Sequence, residues 1–155
     1  MDRERLLEEE EEAWRRLEAV RSAIEPARIA EPTVTPDGWS PKDTLFHVAA
    51  WLDRSADVCE QIAAGTWDPS AAEEETRSFI DRVNAEQVAR ARAMTPHEVE
   101  VRLARARDRA RAAFAALPEV TTDAWSWFEE SGPMHYAEHL QGLRRFVPGA
   151  PDAHG

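Results

Sequence analysis

The chain has 155 residues, 30 of them Asp or Glu against 19 Lys or Arg, for a net charge of −11. A chain of this length forms one domain and buries a full core without disulfides or structural metal, and the single cysteine, Cys59, excludes an internal disulfide. The acidic balance argues against nucleic acid as a partner, because phosphates need a positive surface, and no apolar run approaches the roughly 18 residues that a membrane span takes.

The N-terminal stretch MDRERLLEEEEEAWRRL is charged throughout and has no apolar signal segment, so a soluble cytoplasmic protein is expected. A helix is predicted over about 2–24. Leu6, Ala13, Leu17, Val20 and Ile24 form one apolar stripe, and the glutamates at 8–12 lie where the helix dipole favours negative charge. Pro26 ends it, and the connector PARIAEPTVTPDGW is rich in proline and turn residues. A second helix starts at SPKD, with Ser40 as N-cap, Pro41 at the first helical position and Asp43 as the acid of a capping box; it stops at Gly65.

After the loop TWDPSAAEEE, an additional helix is predicted over about 72–94. TPHE restarts the chain, with Thr95 as cap, Pro96 next and Glu98 completing the box. Val99, Leu103, Ala106, Ala110, Ala113 and Leu117 then form a core seam up to Pro118. The arginines of ARARDRARAAF alternate with alanines beside many carboxylates, which reads as a solvated, salt-bridged face. EVTTDAWSWFEESGP reads as irregular, Pro133 starts a last helix ending near Phe146, and the tail PGAPDAHG reads as disordered. Residues 1–147 are thus expected to form one all-α domain, a four-helix bundle with an extra helix between helices two and three, followed by a tail over 148–155.

The chain has five histidines. His135 and His139 stand one helical turn apart in MHYAEHLQGL, so their rings share a face, the spacing by which two imidazoles grip one metal ion. A third candidate, His47, shares a largely apolar face of helix two with Thr44, Val48 and Trp51. A buried imidazole there needs a partner, because an unpaired buried polar group costs on the order of 1–3 kcal/mol. The ordinary alternative is a histidine satisfied by a backbone carbonyl. Cys59 lies twelve residues beyond His47 on the same helix, about 18 Å away at 1.5 Å per residue, so the two form no catalytic dyad, and Cys59 reads as a buried apolar residue. His97 reads as solvent-facing, and His154 lies in the tail. Asp43 could orient His47 instead of capping. Tyr136 and Glu138 flank the histidine pair and could act as acid or base, but both point away from its face, which favours surface placement. Asn84 could line a pocket or sit at the surface, and Trp39 and Trp51 read as core before site walls.

GWSPKDTLFHVAAWLDR resembles the second-helix motif of the DinB-like superfamily, and HYAEHLQGLRRF resembles its last helix. FIDRVNAEQVARARAMTPHEVEVRLARARDRARAAFAALPE is similar to the middle of that superfamily, especially its DfsB and ClbS-like branch. The likeness runs from Trp39 to Phe146. It implies an up-down-down-up bundle in which one histidine of the second helix and two of the last meet at a metal ion. Carried over by position, these are His47, His135 and His139. In the mycothiol-dependent maleylpyruvate isomerase branch a glutamate replaces the first histidine of the last pair, so His135 brings this chain closer to the three-histidine pattern.

The superfamily includes transferases of bacillithiol or mycothiol, a mycothiol-dependent isomerase and a cyclopropane hydrolase protecting against colibactin. The resemblance therefore implies a divalent metal (zinc first, with nickel or iron also suited to imidazole), a low-molecular-weight thiol, and transfer of that thiol to an electrophilic small molecule in detoxification. The alternatives are a DfsB/ClbS-like hydrolase or resistance protein that needs no metal, and a non-enzymatic helical module for small-molecule binding or dimerisation. Members often pair as homodimers, which the long apolar seam permits.

Overall fold

The computed structural model describes residues 1–32, 38–72 and 77–149. Its helices are α1 (Arg3–Ala23), α2 (Pro41–Ala64), the single turn α3 (Pro69–Ala72), α4 (Arg77–Arg92), α5 (Pro96–Ala115), α6 (Thr122–Ser131) and α7 (Pro133–Arg144), with a 3-10 turn at Pro26–Arg28. No strand occurs among the described residues. The start of the additional helix around 73–76, part of the connector (33–37) and most of the tail, including His154, lie outside the described residues. Among the described residues no helix is long and apolar enough to cross a membrane.

The helix starts follow from local chemistry. Ser40 Oγ accepts the Asp43 amide at 3.1 Å while Asp43 Oδ2 accepts the Ser40 amide at 3.0 Å, with Pro41 at the first position. Thr95 and Glu98 repeat the arrangement at 3.1 and 2.7 Å. Gly65 closes α2 at φ 74°, a left-handed conformation that glycine adopts without penalty.

Cross-helix contacts give the directions. Lys42 bonds the Met94 carbonyl, Arg102 pairs with Asp53 and Arg109 with Glu60, so α2 and α5 run parallel. Arg3 meets the Leu117 carbonyl, Glu10 meets Arg107 and Arg21 meets Glu100, so α1 and α5 are antiparallel. Trp51 faces Trp127 and Trp67 bonds Asp123, so α2 opposes α6. The path is up-down-down-up. Parallel neighbours cannot be joined by a tight turn, and the long crossover from α2 to α5 is where α3 and α4 lie. The core between the helices contains Leu6, Leu17, Leu45, Phe46, Leu52, Leu103, Phe114, Phe128 and Leu143.

Two expectations are corrected. The stretch expected to be irregular contains α6, capped by Thr121 Oγ1, which accepts the Ala124 amide at 3.1 Å. Its Thr and Trp residues are weak helix formers, but Ala124, Phe128 and Ser131 recur at helical spacing and are buried, and packing outweighs propensity. α6 and α7 are divided at Gly132. A Cβ there would lie 2.9 Å from the Phe128 carbonyl oxygen and 3.5 Å from Glu10 Cγ, so only glycine fits.

The arginine face of α5 is salt-bridged, as expected, but only partly solvated. Arg109 joins Asp53, Asp57 and Glu60 near the surface. Arg107 and Arg111 instead turn inward onto Glu10, whose exposure is 0%.

Candidate metal centre

α2 presents His47 two turns from its start, and α7 presents His135 and His139 one turn apart. Because α2 opposes the α6–α7 arm, the three rings meet. His135 Nε2 lies 2.9 Å from His47 Nε2 and 3.0 Å from His139 Nε2, and one ring nitrogen from each histidine falls within 4.8 Å of the other two. His47 and His135 are buried and His139 is half-buried.

Burial keeps His47 and His135 neutral. Burial, reinforced by neighbouring His139, pushes His47 down to about 4 against the opposing hydrogen bonds of Gln87 and Asn84. Burial, then His47 and His139, push His135 down to about 2. Neutral imidazoles are the form that binds a metal ion.

The hydrogen bonding also fits a metal. Gln87 Oε1 lies 3.1 Å from His47 Nδ1. An amide oxygen only accepts, so His47 donates from Nδ1 and its Nε2 carries a bare lone pair. His135 Nδ1 is turned towards the Ser131 backbone without closing a full hydrogen bond. If His135 Nε2 carries its proton, it serves one neighbour and presents no acceptor to the other. If it is bare, it faces the His47 lone pair. With His47 and His135 neutral, no allotment of protons gives each contact its own two-centre hydrogen bond, whereas one cation shared by three lone pairs satisfies all three nitrogens. Three imidazoles also leave a tetrahedral ion one open position, as in catalytic zinc sites.

The open side is a pocket of about 750 Å³. His47 and His135 form its floor. Trp51 of α2, Ile80 and Asn84 of α4, Ser126, Trp127, Glu130 and Ser131 of α6, and Met134 and Glu138 of α7 line the rest. Trp51 and Trp127 stack at 6.3 Å, Trp51 Nε1 donates to Asn84 Oδ1 at 3.3 Å, and Trp39 packs on the His47 ring at 4.9 Å.

Residues 11–147 match the mycothiol maleylpyruvate isomerase N-terminal domain family. The chain belongs to this family. The family is DinB-like, in agreement with the resemblance drawn from the histidine motifs. No curated protein and no solved structure matches the chain. Within the mycothiol maleylpyruvate isomerase N-terminal family, this member carries histidine at 135, at the centre of the cluster.

The structure brings His47, His135 and His139 together. Asp43 is committed to the capping box, and Gln87 orients His47 in its place. Tyr136, expected at the surface, is 1% exposed and bonded to Glu10. α7 packs on α1 as well as on α2, so the side of α7 away from the histidines is also covered. Asn84, Trp51 and Trp39 stand at the site, whereas Cys59 is in the core with its thiol pushed up to about 11 by burial. His97 is exposed, and so is Glu138, at the pocket edge.

Gln87 escaped the sequence reading. The signal for it is its spacing of three from Asn84, which puts both on one face of α4. Gln87→Ala is expected to weaken metal binding by about 10–100-fold, the usual effect of losing a ring-orienting partner. Competition with a chromophoric chelator measures it, and wild-type affinity in the variant would rule out the orienting role.

Proposed function

We propose that this chain is a metal-dependent enzyme of small-molecule detoxification. In this reading His47, His135 and His139 hold a divalent ion, zinc in the first instance, and the adjoining pocket admits a low-molecular-weight thiol and an electrophilic substrate. The observation that carries it is the convergence of three imidazoles whose ring nitrogens crowd together without a two-centre hydrogen bond for each contact, two of them lining a pocket large enough for organic ligands.

When bound, such an ion lowers the pKa of a coordinating thiol, so that the thiolate is available at neutral pH. The protein supplies the rest. Gln87 holds the tautomer of His47. The indoles of Trp51 and Trp127 keep water from one wall and offer flat surfaces to a substrate. In the transfer, the S–H proton leaves to solvent and a carbon–sulfur bond forms at the electrophilic carbon. The electron pair departs with a leaving group or, for an activated alkene, moves onto the neighbouring carbon and takes up a proton.

The test is S-transfer from mycothiol to a chromogenic electrophile such as 1-chloro-2,4-dinitrobenzene. Activity is expected to fall at least tenfold on chelation and to return with zinc. Activity indifferent to chelation would refute metal dependence.

A further inference from the structure

Asn84 has one half of its side-chain amide in use. It stands on α4, four residues from Ile80 and three from Gln87, on the face that α4 turns to the pocket and the histidines. Its Oδ1 accepts Trp51 Nε1–H at 3.3 Å. An indole N–H only donates, so the oxygen is the atom turned to Trp51, and the NH2 group points the other way. Asn84 also adjoins His47, whose ring meets that of Trp51 edge to face at 6.4 Å. Among the described residues Nδ2 donates to no acceptor, yet it is not sealed in the core: it opens on the pocket that Asn84 lines. With the oxygen held, both N–H bonds have a set direction. The hydroxyls of Ser126 and Ser131, also on the lining, rotate and serve equally as acceptors.

We propose that Asn84 is a specificity-determining residue: its amide N–H donates to a carbonyl oxygen of the electrophile bound between the histidines and the Trp51–Trp127 wall, and so selects ligands that carry such an acceptor. The proposal rests on the reading of this pocket as the ligand site, and it is compatible with coordination of the same ligand by a metal ion. A ligand with no acceptor at this place covers Asn84 and leaves a desolvated N–H unpaired. That is how a polar site rejects an analogue lacking the matching group.

Two neutral probes of nearly equal shape, acetophenone and ethylbenzene, differ in that oxygen. Their dissociation constants are measured by ligand-observed NMR on the full chain, for the wild type and Asn84→Asp, with zinc supplied and after chelation. The aspartate keeps an oxygen for Trp51 Nε1–H and replaces the donor by an acceptor. Ethylbenzene binding reports whether the pocket is intact. The ratio of the acetophenone to the ethylbenzene dissociation constant is expected to be about fivefold larger in the variant, the size of one neutral hydrogen bond. Ethylbenzene is expected to change little, and the increase to be present with and without zinc.

An unchanged ratio, an equal loss of both probes in the variant, or no binding of either probe to the wild type would each overturn the proposal. So would an increase seen only with zinc, which would place the effect on the metal and not on Asn84. Metal content measured on the same samples separates this result from the metal reading. A shifted ratio in protein that takes up no zinc sinks only the latter, and stoichiometric zinc with an unshifted ratio sinks only the former.

Discussion

Glu10→Ala is expected to lower the free energy of unfolding by about 3–5 kcal/mol, the usual cost of removing one partner from a buried ion pair. Glu10 is fully buried on α1. Its carboxylate receives Arg107 through two hydrogen bonds of 2.7 and 3.0 Å, receives Arg111, and accepts the Tyr136 hydroxyl at 3.0 Å. Deleting it leaves two guanidiniums and a phenol facing a void. Glu11, which also contacts Arg107, recovers part of one charge.

Tyr136→Phe removes only the hydroxyl and is expected to cost about 1.5–3 kcal/mol, as for a hydrogen bond to a charged group. Burial and then the Glu10 carboxylate hold the phenol well above its ordinary pKa, so it remains a donor. Urea unfolding followed by circular dichroism measures both variants. A loss below about 1 kcal/mol for Glu10→Ala would show that the network contributes little. The network also bears on the site. Tyr136 adjoins His135, so anchoring Tyr136 to α1 sets the rotation at which α7 presents its two histidines.

The second large effect is at the histidines. His135→Ala is expected to reduce bound zinc from near-stoichiometric to trace, since His135 Nε2 lies 2.9 and 3.0 Å from the Nε2 atoms of the other two rings. Mass spectrometry of untagged protein reads this directly. Full metal retention in the variant would move the site elsewhere.

The metal-free protein carries a matching pH dependence. His47 and His135 are held at about 4 and about 2 when folded, against 6.5 when unfolded. Their stabilisation is therefore complete above pH 6.5. Below that, the unfolded chain takes up protons that the folded chain refuses, and stability falls as pH drops. From pH 6.5 to 5 the two groups together account for a loss on the order of 3 kcal/mol at about 1.4 kcal/mol per proton and pH unit. His135→Ala removes one of the two and is expected to lose about half as much over that interval. Denaturation midpoints at several pH values test it, and parallel curves for wild type and variant would mean that His135 is not held neutral by the fold.

The parts of this protein legible in the sequence are those in which the physics is local. Ser40 with Asp43 and Thr95 with Glu98 close their capping boxes across three residues, and Pro26, Gly65 and Pro133 punctuate helices by their own backbone limits. The shared face of His135 and His139 follows from a spacing of four. The bundle class follows from the apolar stripes, and the histidine motifs carry the resemblance to the superfamily.

α6 was missed because its residues are weak helix formers and its helix is secured by the burial of Ala124 and Phe128 against other elements. Glu10 was one of five consecutive glutamates, and nothing in that run distinguishes the one that meets Arg107, 97 residues away. Gln87 was hidden because nothing local marks it as the partner of His47, 40 residues away. Local sequence determined where the capped and proline- or glycine-bounded helices begin and end and which side chains share a face. Only the tertiary structure decided which faces meet, because pairing across 88 residues, as between His47 and His135, depends on the packing of the whole bundle.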